Sequence, residues 1–162
     1  MINKSHLVKR GLQCTFAILK PDVANNSLAR ETILSLIEKN GFHIVRIKKT
    51  RMNLELAKEF YIEHREKFFF NRLTTFMSSS SIYALILAKK DAINCWRSLI
   101  GKANVYKTIY SNPHCIRSRF GLTDTRNAVH GSDSDITFNR EASFFFPEFF
   151  ADSVDSDDHN IR

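Results

Sequence analysis

The stretch Ile82-Tyr83-Ala84-Leu85-Ile86-Leu87-Ala88 carries no charge and does not alternate between apolar and polar residues. A strand with one wet face alternates, so an unbroken apolar run of this length belongs to a central strand buried on both faces. Cys14 to Leu19 is a second short apolar run with β-branched and aromatic members, and it also reads as a strand. Pro21 ends it, because proline cannot donate to a ladder and biases Lys20 towards extended geometry.

The rest of the chain alternates with these strands. Asn25-Asn26-Ser27 offers cap chemistry before a helix with Ala29, Ile33, Leu36 and Ile37 on one face, stopped at Gly41. Phe42 to Thr50 reads as a strand, and Asn53 caps a helix whose face is Leu54, Ala57, Tyr61 and His64. Phe69, Phe70, Leu73, Phe76 and Met77 form a short amphipathic stretch, with Phe70, Leu73 and Phe76 as core, followed by the polar hinge Ser78 to Ser81. Asp91 caps and Gly101 ends a helix with Ala92, Trp96 and Leu99 on one face, so Arg97 points away from Trp96. Residues 102–116 read as a long loop, Gly121 as a turn, and Asp135 as the start of a last helix carrying Glu141. This order predicts an α+β, ferredoxin-like split βαβ fold: a four-stranded antiparallel sheet with helices packed on one face. Its expected boundaries are a flexible basic N-terminus over 1–13, one domain over 14–150 and a disordered acidic tail over 151–162.

Charge narrows the partners. The formal net charge is +7, and Asp152, Asp155, Asp157 and Asp158 near the C-terminus make the body more basic still. A body this basic points to a polyanion, either nucleotide or nucleic acid. Yet the chain has no G-x-x-x-x-G-K-[ST] and no G-x-G-x-x-G, and only five glycines in all. Phosphate must then be held by side-chain cations, and Lys20, Arg97 and Arg117 come from three separate elements, as convergence on one cleft requires. No carboxylate cluster is suited to holding a metal alone, so Mg²⁺ is expected to arrive with the nucleotide.

Three cysteines, an odd number without metal-ligand spacing, argue against a disulfide framework and for a reducing, cytoplasmic compartment. Lys4, Lys9 and Arg10 without an acid give the first residues a short presequence-like character, which makes a mitochondrial location the alternative. No apolar run approaches the ~20 residues that span a bilayer, so no membrane partner is expected.

Asn127-Ala128-Val129-His130-Gly131-Ser132-Asp133-Ser134 concentrates the candidate chemistry. A single imidazole sits among hydroxyls and a carboxylate, and imidazole can serve as base or nucleophile near neutral pH. Gly131 has no Cβ and so permits close approach of a ligand or backbone to the ring.

This stretch resembles the N-x-x-H-G-S-D-S signature of nucleoside diphosphate kinases, and the resemblance runs from about Cys14 to Phe149. Phe120-Gly121-Leu122-Thr123-Asp124-Thr125-Arg126-Asn127 looks most like the divergent sixth (group II) animal branch. The resemblance implies transfer of the γ-phosphate of ATP to a nucleoside diphosphate, by a ping-pong route through phosphohistidine at His130, with Glu141 orienting the imidazole. It assigns Lys20, Arg97 and Arg117 to phosphate, Asn127 to sugar and phosphate, Phe69 to the base, and Tyr61 a place near the lysine. Three departures predict a slow enzyme: Ala103 where the family has a threonine that helps hold phosphate, Ser79 to Ser81 in place of a glycine-proline, and Phe68 in place of a proline. The rival reading is a nucleotide- or nucleic-acid-binding or regulatory protein that keeps the fold. The 102–116 loop, longer than the family's usual one and carrying Val105, Tyr106, Ile109 and Tyr110, predicts that the family hexamer is weakened and that the loop meets another protein.

Overall fold

The computed structural model describes residues 2–151. In chain order its elements are α1 (Lys4–Lys9), β1 (Gln13–Leu19), α2 (Pro21–Ala24), α3 (Ser27–Lys39), β2 (His43–Thr50), α4 (Leu54–Phe60) and α5 (Phe70–Ser78). Then come β3 (Ile82–Lys89), α6 (Ala92–Ile100), α7 (Val105–Ser111), α8 (Ile116–Phe120), β4 (Val129–Gly131), α9 (Asp135–Phe145) and α10 (Glu148–Ala151). The strands form one sheet in the order β2-β3-β1-β4, with every neighbouring pair antiparallel. This is the ferredoxin-like arrangement read from the sequence, with α3 and α6 as its crossover helices.

β1 and β3 pair without interruption from Gln13↔Lys89 to Leu19↔Tyr83. Their side chains divide between two apolar layers, as the two-residue period of a strand dictates. Phe16, Ile18, Ala84 and Ile86 pack with Phe60 of α4, Met77 of α5 and Phe138 of α9. Ala17, Leu19, Leu85 and Leu87 pack with Ile33 of α3 and Trp96 of α6. Helices therefore cover both faces of the sheet, which corrects the expectation of cover on one. The unbroken apolar runs of β1 and β3 require it, since neither has a polar face to show to water.

The helix starts are mostly built by the residues that read as caps. Side-chain oxygens of Asn26 and Asn53 accept from the amides of Ala29 and Leu56, and Ser134, not read as a cap, accepts from that of Thr137. Asp91 differs. It sits in the left-handed region with φ 55° and its carboxylate accepts from Asn94, while the amide of Ile93 donates to Gln13 Oε1 at 3.1 Å. The start of α6 is thus capped from β1 rather than by its own flanking residue.

Two stretches read as irregular are helical. In α1, Leu7 is buried in the α9-side core and Lys4 Nζ donates to Asn139 Oδ1 at 2.6 Å, so the basic N-terminal stretch is docked rather than free. A helix with one buried side chain leaves no periodic trace in sequence. Within 102–116, Asn104 caps α7 by accepting from the Lys107 amide; Val105 and Thr108 turn inward, while Tyr106 and Tyr110 are 77% and 81% exposed. The acidic tail expected from residue 151 lies outside the described residues beyond Ala151, the last residue of α10. No helix among the described residues is long and apolar enough to cross a membrane.

Candidate active site

His130 is carried by β4, which pairs with β1 so that His130 stands opposite Ile18 and Val129 opposite Leu19. Alternation sends Val129 into the α6-side layer and His130 towards α9. Immediately before the strand, Ala128 has φ +71° and the Val129 amide donates to the Asn127 carbonyl at 2.9 Å. That is a γ-turn with positive φ at a non-glycine residue, a strained conformation that surrounding contacts must hold. They do so from one segment: the Ala128 amide donates to Asp22 Oδ2 at 3.0 Å and its carbonyl accepts from the Lys20 amide at 2.9 Å. Lys20-Pro21-Asp22, at the end of β1, therefore buttresses the approach to His130.

Gly131 has a different reason from the one read in sequence. A Cβ there would lie 2.6 Å from Trp96 Cδ1, and Trp96 is fully buried, with its indole N–H donating to the His130 carbonyl at 3.2 Å. The close approach that glycine permits is made by the protein's own tryptophan, not by a ligand over the ring.

The imidazole is fixed from one side. Its Nε2 lies 2.9 Å from Glu141 Oε1, and Glu141 Oε2 accepts from Ser132 Oγ at 2.6 Å, with Glu141 and Ser132 both buried. A carboxylate accepts, so Nε2 carries the proton and Nδ1 keeps the lone pair. Phe16, Phe60 and Tyr61 flank the ring edge-on at centroid distances of 6.3, 5.7 and 6.1 Å. Nδ1 is left without a partner among the described residues.

His130 and Glu141 line an open cleft of about 1100 Å³, together with His64, Arg97, Lys102 and Arg117. Arg97, on α6, is exposed and makes no side-chain hydrogen bond or ion pair among the described residues. Arg117 is held, donating to the carbonyls of Gly101 at 2.7 Å and Val129 at 2.9 Å, and burial pushes its pKa down to about 10. Lys20 is 5% exposed, and among the described residues its only side-chain hydrogen bond is a long one, 3.4 Å to the Thr125 carbonyl. Burial, and then the Arg117 charge, push its pKa down to about 7. Asn127 donates to the carbonyls of Asp124 and Ala103.

The sequence-derived set is thus divided in space. His130, Glu141, Arg97 and Arg117 line the cleft wall, whereas Lys20, Tyr61 and Asn127 are buried next to it. Phe69 does not line the cleft; it flanks α5 at its first turn, with its ring 5.6 Å from that of His64, which does. The Tyr61 hydroxyl, Asn127 Oδ1 and Arg117 Nε are all buried without a hydrogen-bond partner. Such groups cost free energy when they stay unpaired.

Sequence reading missed the roles of three contributors. Ser132, noted only as a nearby hydroxyl, anchors the second oxygen of Glu141. His64, read as part of an apolar helix face, sits in a 3₁₀ turn after α4, half-buried on the cleft wall, where burial lowers its pKa. Its signal was an imidazole three residues after Tyr61. Asp133 accepts from Thr137 Oγ1 at 2.7 Å, which holds its carboxyl below the usual carboxylate range. Among the described residues no group of three or more His, Cys, Asp or Glu side chains is placed to hold a metal ion.

Comparison with known proteins places this geometry in context. The sequence model described as nucleoside diphosphate kinase matches residues 13–150. Nucleoside diphosphate kinase 6 of Mus musculus is 46% identical over 140 residues, covering 86% of this chain and 74% of the relative. The Danio rerio protein of the same name is 45% identical over 143 residues, covering 88% and 81%. Among solved structures, the Aquifex aeolicus nucleoside diphosphate kinase superposes with a TM-score of 0.79 at 38% identity, over 83% of this chain and 95% of that one. The Halobacterium salinarum enzyme, solved in complex with CDP, gives 0.76 at 32% identity over 83% and 87%.

Proposed function

The chain belongs to the nucleoside diphosphate kinase family, with the divergent sixth branch among its relatives, and from that premise we propose that it transfers the γ-phosphate of ATP to nucleoside diphosphates through a phosphohistidine at His130. The observation that carries this reading is the Ser132–Glu141–His130 chain, which leaves the Nδ1 lone pair unpartnered beside a cleft lined by arginines. Nδ1 attacks the γ-phosphorus; the P–N bond forms as the bond to the β,γ-bridging oxygen breaks, and the diphosphate leaves with that electron pair. The imidazolium so formed keeps its proton on Nε2, donated to Glu141. A second nucleoside diphosphate then enters, its terminal phosphate oxygen attacks the phosphoryl group, and the P–N pair returns to Nδ1. Arg97 and Arg117 neutralise charge on the transferred group, and in-line placement supplies much of the rest.

Lys20 and Asn127 are assigned to phosphate and sugar, and Phe69 to the base. The relative solved with CDP supports a nucleoside diphosphate as ligand. Of the carboxylates lining the cleft, Glu141 is bound by His130 and Ser132, Asp133 by Thr137 and Glu63 by Arg140. A magnesium ion arriving with the nucleotide would be held by phosphate and water and would offset phosphate charge. Assembly is proposed to be smaller than the family hexamer, because α7 turns Tyr106 and Tyr110 outward for a different protein partner; a stable hexamer in light scattering rejects that part.

The test uses the full chain with γ-labelled ATP. Acid-labile label on His130, chased off by a nucleoside diphosphate and lost in His130→Ala, is the expected result. Undiminished transfer by that variant would overturn the phosphohistidine route, whereas binding of ATP with neither a labelled intermediate nor transfer would return the chain to the class of nucleotide-binding regulators.

A further inference from the structure

One side chain joins the helix that begins after Phe69 to the loop between α8 and β4. Arg72, one turn along α5 from Phe69, donates from Nε to Thr125 Oγ1 at 2.8 Å and from Nη2 to both oxygens of Asp124 at 3.1 and 3.2 Å. Thr123 Oγ1 accepts from the amides of Thr125 and Arg126, which stiffens the loop tip. The Arg126 guanidinium lies 5.4 Å over the ring of Phe76, a second link from the loop to α5. Facing the other way, the loop's carbonyls hold the site: Thr125 accepts from Lys20 Nζ and Asp124 from Asn127 Nδ2. The loop thus carries the contacts of two residues assigned to phosphate and sugar, and the helix starts beside the aromatic assigned to the base.

The side chains of Arg72 and Asp124 are 54% and 51% exposed, so their pairing adds little to the stability of the fold. What a guanidinium fork with three polar contacts to one loop does supply is direction. We propose that Arg72 and Asp124 are positioning residues: their clasp sets the separation between Phe69 and the Lys20–Asn127 side, and so how tightly the nucleoside half of the substrate is held. The clasp rests on the nucleotide reading given above; the side chains of Arg97 and Arg117, the arginines lining the cleft, make no hydrogen bond to this loop among the described residues.

Steady-state transfer by the full chain tests it with Arg72→Ala, Asp124→Ala and the double variant. The KM for nucleoside diphosphates is expected to rise about tenfold in each single variant, with kcat held within about twofold. The double variant should be no weaker than either single one, inhibition by inorganic tripolyphosphate should weaken less than binding of the nucleoside diphosphate, and the melting temperature should move little. An unchanged KM, additive losses in the double variant, or equal weakening of tripolyphosphate overturns the clasp. Calorimetric binding of ADP is measured in parallel, so that an absence of transfer is separated from a failure of the clasp. If the native chain binds ADP without transferring phosphate, a tenfold weaker ADP affinity in Arg72→Ala still supports the clasp and an equal affinity overturns it. A native chain that binds no ADP overturns both proposals.

Discussion

On the floor of the cleft the polar groups are bound to one another: His130 to Glu141, Glu141 to Ser132, and Arg117 to the carbonyls of Gly101 and Val129. On the rim, Arg97 projects from α6 without a polar partner among the described residues, and His64 is half-buried next to Phe69. The difference follows from what each region must do. Groups around a breaking bond act best when their orientation was fixed during folding, because no reorganisation is then required at the moment of reaction. Rim charges that were already paired would have to give up a partner before a phosphate could bind. In the proposed reaction the floor therefore serves both structure and chemistry, and the rim chemistry alone.

The two arginines separate these roles most sharply. Arg117→Ala should lower phosphotransfer by roughly 10²-fold or more, the scale of losing one transition-state contact. It should also cost about 1–3 kcal/mol of stability, since two carbonyls lose their donor. Arg97→Ala should lower transfer on a similar scale and leave the melting curve in place. Equal losses of stability in the two variants, by denaturant or thermal unfolding, would erase the distinction between floor and rim. Rate effects near unity for both would make them plain surface charges.

Lys20 lies between the two regions, buried like the floor but weakly bonded like the rim. Its folded-state pKa of about 7 lies below the ordinary lysine value of 10.5. The unfolded chain therefore binds more protons than the folded one between those two values, and this group makes stability rise with pH across that window. Below about pH 7 the cost of burying the charge is fully present. A bound anion favours the charged amine, so ADP binding should take up a proton and weaken as pH rises from 7 to 9. Calorimetry in buffers of different ionisation heat should detect that uptake, and Lys20→Met should abolish it. Proton uptake that persists in the variant would assign the effect to another group.

On floor and rim alike, local patterns were legible in sequence and pairings between distant elements were not, for a physical reason. The Asn127–Ser134 segment, the apolar runs of β1 and β3 and most caps are local patterns, and local patterns survive reading one residue after another. The demand that Trp96 places on Gly131, the Ser132–Glu141 bond and the Arg72–Asp124 pair exist only once distant elements meet. Nothing in the periodicity of either partner announces them. Helices α1 and α7 escaped because each is short and buries few side chains, too few to print a face. His64 escaped because a 3₁₀ turn after α4 points it away from the face that a continuous helix would have given it.

The smallest expected effect is on the rim itself, at Ala103. Its side chain is exposed on the cleft wall, while its carbonyl already accepts from Asn127 Nδ2 at 3.2 Å. Ala103→Thr adds a hydroxyl to the cleft without touching that bond, so stability should change by no more than about 0.5 kcal/mol, the usual range at surface sites. If one absent phosphate contact limits the rate, transfer should rise by about a few-fold, the scale of a single net hydrogen bond of roughly 1 kcal/mol. Steady-state assay against the native chain decides the matter. No gain would locate the limit in the backbone path of residues 101–104. That path is set by Arg117 holding the Gly101 carbonyl and by Thr108 Oγ1 donating to the Lys102 carbonyl at 3.2 Å. The rim would then owe its position to the floor, and no side chain placed on it alone would restore the rate.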